Sequence, residues 1–149
     1  MSGHELAMAL RCAYLAMHRR TDVLVAPAGI TADQFVVLSA LSDGEALTQR
    51  ELVTRTSSDP NTLRAMLVLL DGQGLVRRKP HPTDGRARSV SLSRKGRDVL
   101  QKAWQRSELF RTQLFEAFSP MDCQQLVSQL QGLVEKIDRK SLASLSSEQ

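Results

Sequence analysis

The chain has 149 residues, a formal net charge of +4 and 42% hydrophobic residues. This length and composition are typical of one globular domain with a buried core, and they argue against a disordered or fibrous chain. The longest unbroken apolar run, residues 65–70, is too short to span a bilayer, and the N-terminus lacks the features of a signal peptide. We therefore expect a cytoplasmic protein with a single domain over residues 1–149.

The first predicted helix covers Glu5 to Val25 and ends where Pro27 and Gly29 interrupt the pattern. Its apolar side chains form two stripes on different faces: Leu6, Leu10, Ala13 and Met17 in one, and Met8, Cys12 and Leu15 in the other. A helix that is apolar over so much of its circumference has to be covered on two sides.

Three shorter helices follow, each with a recognisable start. Thr31 to Gln34 and Thr48 to Glu51 fit capping boxes, which predict helices over about residues 31–42 and 48–56. Asp59 as N-cap and Pro60 at the first helical position begin a third helix, which glycines end at residues 72–74. The spacing of its apolar residues predicts a core-facing side made of Leu63, Met66, Leu67 and Leu70.

The pattern then changes to that of two short strands, over residues 75–79 and 87–92. In the second strand, Val90 and Leu92 are expected to point inward, and Ser89 and Ser91 outward. Prolines 80 and 82 donate no backbone hydrogen bond, so the tip of this hairpin is expected to project as an extended loop.

Two long helices complete the chain. Ser93 is expected to cap the first, which reaches about Phe118, and Ser119 with Pro120 begins the second. The second carries an apolar seam at alternating spacings of three and four, formed by Cys123, Leu126, Leu130, Leu133 and Ile137. The predicted fold class is mainly α.

The order of helices and strands over about residues 31–96 predicts a winged helix-turn-helix. Such proteins place the later helix, here 60–72, in the major groove of DNA. Arg64 could then reach guanine, Asn61 adenine or a phosphate, and Ala65 and Val68 thymine methyl groups. Alternatively, the apolar residues on this side are only tolerated at the surface. The candidate DNA-binding residues on this part of the chain are Ser57, Ser58, Asn61, Thr62, Arg64, Ala65 and Val68.

The predicted wing, residues 76–92, is rich in cations and has one acidic residue, Asp84. Lys and Arg beside a recognition helix bind the sugar-phosphate backbone. Arg86 at the tip could enter the minor groove, and Asp84 could orient its guanidinium. The candidate DNA-binding residues of the wing are Arg77, Arg78, Lys79, Asp84, Arg86 and Arg88.

Two stretches resemble one family. GLVRRKPHPTDGRARSVSLSRKG resembles the wing of the MarR family of bacterial transcriptional regulators, with its Asp-x-Arg motif, and SSDPNTLRAMLVLLDGQGLVRR is similar to that family's recognition helix. The resemblance implies a homodimer built by helices at about 4–26 and 97–145, bound to a pseudo-palindromic operator. It also implies a repressor that a small lipophilic or phenolic effector releases from DNA.

Effector-binding candidates under this resemblance are Tyr14, His18, Arg20 and Trp104, although each could equally be ordinary packing or surface. An alternative switch is oxidation of Cys12 or Cys123, which lie in the two predicted dimer-forming regions. A cysteine in an apolar stripe is more often inert.

Other function classes have less support. The chain has no phosphate-binding glycine loop, nucleophile motif or metal-ligand spacing, so we expect no enzyme activity, no catalytic residues, no metal and no cofactor. A winged-helix module that binds protein or RNA without DNA specificity is the remaining rival. The recognition surface and wing lack the aromatic residues on which RNA-binding proteins stack bases, which favours double-stranded DNA.

Overall fold

A computed structural model describes residues 1–80, 83 and 88–147, and side chains up to residue 139. It contains two compact units, Met1–Ser107 and Glu108–Gln149. The helices are α1 (Gly3–Val25), α2 (Ala32–Ala40), α3 (Gln49–Thr56), α4 (Pro60–Gly72), α5 (Arg94–Glu116) and α6 (Pro120–Ser147). The strands are β1 (Leu47–Thr48), β2 (Val76–Pro80) and β3 (Arg88–Leu92), and a 3-10 turn covers Ala26–Ala28. The prediction of a mainly α, winged helix-turn-helix fold is confirmed.

The predicted helix starts are confirmed by their hydrogen bonds. The Thr31 hydroxyl accepts from the backbone N–H of Gln34, whose side chain accepts from the N–H of Thr31. Thr48 and Glu51 make the same reciprocal pair at the start of α3. These bonds satisfy backbone donors that a helix N-terminus otherwise leaves without partners.

Helix α1 begins earlier than predicted, at Gly3, because Ser2 and Glu5 form a further capping box. The Glu5 carboxylate accepts from the backbone N–H of Ser2 and also interacts with the Ser2 hydroxyl, and both contacts hold the pKa of Glu5 below its ordinary value. Helix α2 is shorter than expected and ends at Ala40. The turn that follows passes through Gly44 at φ +79°, a conformation that favours glycine.

The sheet has three strands in the order β1-β3-β2: the predicted hairpin is present as β2 and β3, and β1 adds a third strand that was not predicted. Strand β1 pairs antiparallel with β3 through Leu47 opposite Val90 and Thr48 opposite Ser89. A strand of two residues is too short to show an alternating pattern in the sequence. Strand β3 is therefore the central strand of the sheet.

This position of β3 also corrects the prediction for Ser89. Val90 and Leu92 are buried as expected, but Ser89 is only 8% exposed although it was predicted to point outward to solvent. It lies between Thr48 of β1 and Lys79 of β2, which cover it on both sides. Its hydroxyl donates to the backbone carbonyl of Lys79 at 3.4 Å.

One hydrophobic core holds the first unit together. It combines the end of α1 with α2, α3, α4, the sheet and the first half of α5, through residues that include Val25, Leu38, Leu52, Val90 and Leu100. The predicted inner side of α4 is confirmed, since Leu63, Leu67 and Leu70 are almost completely buried and Met66 is half-buried.

Among the described helices, none is by itself long and apolar enough to cross a membrane. Residues 3–28 and 32–40 meet that length and composition only as a pair, with a bend of 78° between them.

The first turn of α5 is attached to the turn that joins α4 to β2. The Ser93 N–H donates to the Leu75 carbonyl at 3.1 Å, and its hydroxyl donates to the Gly74 carbonyl. The same hydroxyl accepts from the N–H of Gly96 at 2.9 Å, which confirms Ser93 as the cap of α5. A Cβ atom on Gly96 would lie only 1.9 Å from the Leu75 carbonyl oxygen, so glycine is required for this approach.

Replacing Gly96 by alanine is expected to lower the free energy of unfolding by about 2 kcal/mol, because the backbone of Leu75 has to move away. Urea denaturation followed by circular dichroism measures this change. Gly72→Ala is the matched control, since an added Cβ there meets no atom within 4 Å. Equal midpoints for the two variants would contradict the close contact.

Candidate nucleic-acid interface

The turn between α3 and α4 fixes the direction in which α4 leaves the core. Ser57 adopts a left-handed conformation at φ +50°, and the N–H of Ser58 donates to the Val53 carbonyl at 3.3 Å. The hydroxyls of Thr56 and Ser58 lie 2.7 Å apart and share a hydrogen bond. The predicted DNA-binding residues Ser57 and Ser58 therefore lie in this short turn, where Ser58 also has a structural role.

Asp59 caps α4, as predicted. Its Oδ2 atom accepts from the backbone N–H groups of Asn61 and Thr62, both at 3.0 Å, and from the Thr62 hydroxyl at 3.3 Å. The Gln49 side chain donates to the Pro60 carbonyl at 3.4 Å, which ties the start of α4 to α3. The first turn of α4 is thus held in place from two sides.

The predicted DNA-binding residues of α4 all lie on its exposed side, away from the buried leucines. They are Asn61, Thr62, Arg64, Ala65 and Val68. Val68 is 57% exposed, and its neighbour Leu69 is 60% exposed. The structure therefore places these side chains together on one accessible surface.

The strand register divides the cations of the wing between two faces. Arg77 and Lys79 are exposed and lie on the same face as Ser91 and Ser89, which pair with them. Arg78 and Arg88 belong to the opposite face, which carries the buried Val90. The side chain of Arg78 is half-buried, and its Nε atom finds no hydrogen-bond partner among the residues that the structure describes.

Two wing candidates, Asp84 and Arg86, lie outside the described residues, so their predicted roles stay predictions.

Three exposed residues of α3 and α4 were missing from the candidates predicted from the sequence. Arg50 and Arg55 lie on α3, the helix that crosses the DNA backbone in helix-turn-helix proteins, and Leu69 lies on α4. The two arginines flank Leu52 and Val53, which face the core. That pattern is visible in the sequence and could have identified them as solvent-facing cations.

The predicted effector residues lie in more than one place. Tyr14 and His18 are neighbours on α1, with ring centroids 5.6 Å apart, and His18 lies 3.4 Å from Asp22 and 3.8 Å from Asp33. Trp104 instead packs edge-on against Phe35 at 5.6 Å. Arg20 is exposed on α1.

A shallow pocket of about 190 Å³ lies in the first unit between the 3-10 turn, the α4–β2 turn and α5. The four predicted effector residues are not among those that line it, which are Ala28, Gly29, Gln73, Leu75, Lys95 and Val99. Lys95 closes one side by donating to the Gln73 carbonyl at 2.9 Å.

The two cysteines are free thiols. Cys12 is exposed on α1, whereas Cys123 is half-buried and donates to the Phe115 carbonyl at 3.3 Å. Within the described part of the chain, no group of three or more His, Cys, Asp or Glu side chains is arranged to hold a metal ion.

Comparison with known proteins finds similarity to one family. The model of the MarR family matches residues 28–87, which contain α2, α3, α4 and most of the wing. HosA, a transcriptional regulator of Escherichia coli O111:H-, is 35% identical over 74 residues. That alignment covers 50% of this chain and 55% of HosA, so the chain spans about half the length of this relative.

Solved structures match almost the whole chain. The Mycobacterium tuberculosis regulator MOSR in complex with DNA has 25% identity and a TM-score of 0.74, over 87% of this chain and 96% of MOSR. A cysteine-to-serine variant of Escherichia coli MarR with operator DNA has 26% identity and the same TM-score, over 89% of this chain and 93% of that chain. Over residues 28–87 the chain is similar to the MarR family. HosA is a transcriptional regulator, and the MOSR and Escherichia coli MarR structures contain DNA.

Replacing Asp59 by alanine is expected to lower the free energy of unfolding by about 1 kcal/mol, because two backbone N–H groups of α4 lose their acceptor. Chemical denaturation measures the loss. Asp59→Asn is the control, because asparagine keeps an acceptor oxygen at the cap and should retain most of the stability. If the alanine and asparagine variants have the same free energy of unfolding, the cap does not stabilise α4.

Proposed function

We propose that this protein is a homodimeric transcriptional repressor that binds a pseudo-palindromic DNA operator. In this proposal α4 enters the major groove, and the wing lies on the sugar-phosphate backbone and in the minor groove. The observation that carries the proposal is the exposed side of α4, which the buried leucines hold outward and which contains Asn61, Arg64 and Ala65. The DNA complexes of MOSR and Escherichia coli MarR support it.

The side chains on α4 suit an approach to base edges. Asn61 and Ala65 are short, so the helix backbone can come close to the floor of the groove. Arg64 is long enough to reach guanine with two hydrogen bonds, and Asn61 can pair with adenine or bind a phosphate. The Ser57 hydroxyl can donate to a phosphate near the start of the helix, whereas Ser58 and Thr62 use their N–H groups and hydroxyls to hold the turn and the first turn of α4 beside it.

The wing supplies the sequence-independent part of the attraction. Arg77 and Lys79 are exposed on one face of β2, and Arg78 and Arg88 carry charge on the other face. Cations on both faces can bind phosphates on either side of a groove. In the same proposal Arg86 enters the minor groove and Asp84 orients it.

A dimer is supported by apolar side chains that the single chain leaves exposed. On α1 these include Leu6, Met8 and Met17, on the two stripes predicted from the sequence. In the second unit the exposed apolar residues are Leu109, Leu114, Phe115, Phe118, Met121, Leu126, Val127, Leu130, Val134 and Ile137. Soluble proteins rarely leave large apolar patches exposed to water. In this proposal a second copy related by two-fold symmetry covers these side chains.

The effector part of the proposal rests on the exposed aromatic residues. Tyr14 and Trp104 are both more than a third exposed, and His18 with Arg20 adds polar groups on the same helix as Tyr14. Such a mixture of rings and polar tips suits a small lipophilic or phenolic molecule. Binding of this molecule would release the repressor from DNA, inside the cytoplasm.

The wing is tested by the salt dependence of DNA binding. The double variant Arg77→Ala, Lys79→Ala is expected to bind operator more weakly, and the slope of log K against log salt should fall by about 0.9 for each phosphate that the wing no longer neutralises. Fluorescence anisotropy over a range of salt concentrations measures both quantities. Lys102→Ala on α5 is the control, because it removes an exposed cation outside the wing. A slope identical to that of the unchanged protein would exclude the wing from the interface.

The dimer is tested by sedimentation at micromolar concentration. The protein is expected to sediment at twice the 16.5 kDa mass of the chain. Leu130→Glu places a charge within the exposed apolar surface of the second unit and should weaken association roughly tenfold or more. Gln131→Glu is the matched control, because it adds the same charge at the next, polar position. A 16.5 kDa species alone would overturn the dimer.

A further inference from the structure

The exposed side of α4 contains an apolar surface that hydrogen bonding does not explain. We call Ala65, Val68 and Leu69 the α4 apolar patch. Val68 and Leu69 are more than half exposed, although both are aliphatic and both lie on the helix that we propose for base recognition. The inference below rests on that proposed function.

Helical geometry shows where the patch points. Successive residues turn by about 100° around the axis, so Leu63, Leu67 and Leu70 together define the direction of the core. Ala65 and Val68 lie on the opposite side, and Leu69 lies beside Ala65 on one flank. Arg64 lies beside Val68 on the other flank. The patch therefore occupies the most protruding part of α4, next to a cation that can form hydrogen bonds.

The surroundings of the patch favour a polyanion over an apolar protein partner. Arg64 is an exposed cation on α4 itself, and the first unit carries further exposed cations on α3 at Arg50 and Arg55 and on β2 at Arg77. Asp71 is the exposed acidic residue near the far end of α4. Three side chains also supply far less than the roughly 800 Å² per partner of a stable protein interface. The charge pattern is complementary to duplex DNA.

The major groove of DNA offers one apolar group at the base edges, the C5 methyl of thymine. We propose that the α4 apolar patch reads thymine methyl groups, so that each operator half-site carries thymines opposite Val68 and Leu69. The side chain of Ala65, at the centre of the patch, is short. The longer side chains of Val68 and Leu69 on either side of it can therefore contact methyl groups. Arg64 then adds hydrogen-bond recognition on the flank beside Val68.

The test removes methyl groups from DNA without changing base pairing. An operator is first selected from random duplexes with the full-length protein, and each thymine is then replaced singly by deoxyuridine. Loss of one contacted methyl is expected to weaken binding about fourfold, from the transfer free energy of one buried carbon. Thymines outside the two half-sites should show no change.

Protein variants connect each methyl group to a residue. At one thymine of each half-site, replacing thymine by deoxyuridine should no longer weaken binding of the Val68→Ala variant. The Leu69→Ala variant should lose its sensitivity to the methyl group of a different thymine. Both side chains are exposed, so we expect these variants to keep the fold, which thermal unfolding checks. Val36→Ala is the matched control, because it shortens an exposed valine of α2 and should retain full sensitivity to the methyl groups.

The outcomes separate this inference from the function on which it rests. If the protein binds a selected operator but no deoxyuridine substitution weakens binding, the methyl readout is overturned and DNA binding stands. The same holds if the Val68→Ala and Leu69→Ala variants keep the full sensitivity of the unchanged protein. If no duplex is bound above the level of random DNA, the proposed function fails and the methyl readout fails with it.

Discussion

Burial of one side of α4 is the constraint on which the candidate interface depends. Leu63, Leu67 and Leu70 enter the same core as the sheet and α2, so the helix cannot rotate about its axis without exposing them. The rotation of the helix decides which residues face outward, and hence which can meet DNA. The Asp59 cap and the hydrogen bond from Gln49 to the Pro60 carbonyl also fix the position of the first turn of the helix. Packing on the buried side of the helix therefore determines which residues α4 presents outward.

Much of this arrangement was predictable because its signals are local. Capping boxes at Thr31 and Thr48, the Asp59–Pro60 start and the apolar spacing of α4 each need only a few neighbouring residues to be recognised. The same spacing identified the outward residues of α4, since helical geometry relates the buried side to the exposed side. The winged fold that the family resemblance implied agrees with the paired strands β2 and β3.

The features that sequence analysis missed depend on contacts between distant segments. Strand β1 exists because Leu47 and Thr48 pair with β3, more than forty positions further along the chain. The same pairing buries Ser89, whose own strand pattern indicated exposure. The half-buried position of Arg78 follows from the register of β2 against β3 and has no counterpart in the charge pattern of the wing. Local patterns carry no information about such neighbours.

The hydrogen bonds at the first turn of α5 have a mechanical consequence. Gln73, Gly74 and Leu75 are each held through their carbonyl groups by Lys95 or Ser93. This tripeptide is both the exit of α4 and the entrance to β2. Because both α4 and β2 are joined to this tripeptide, we expect a tilt at the start of α5 to shift α4 and the wing together.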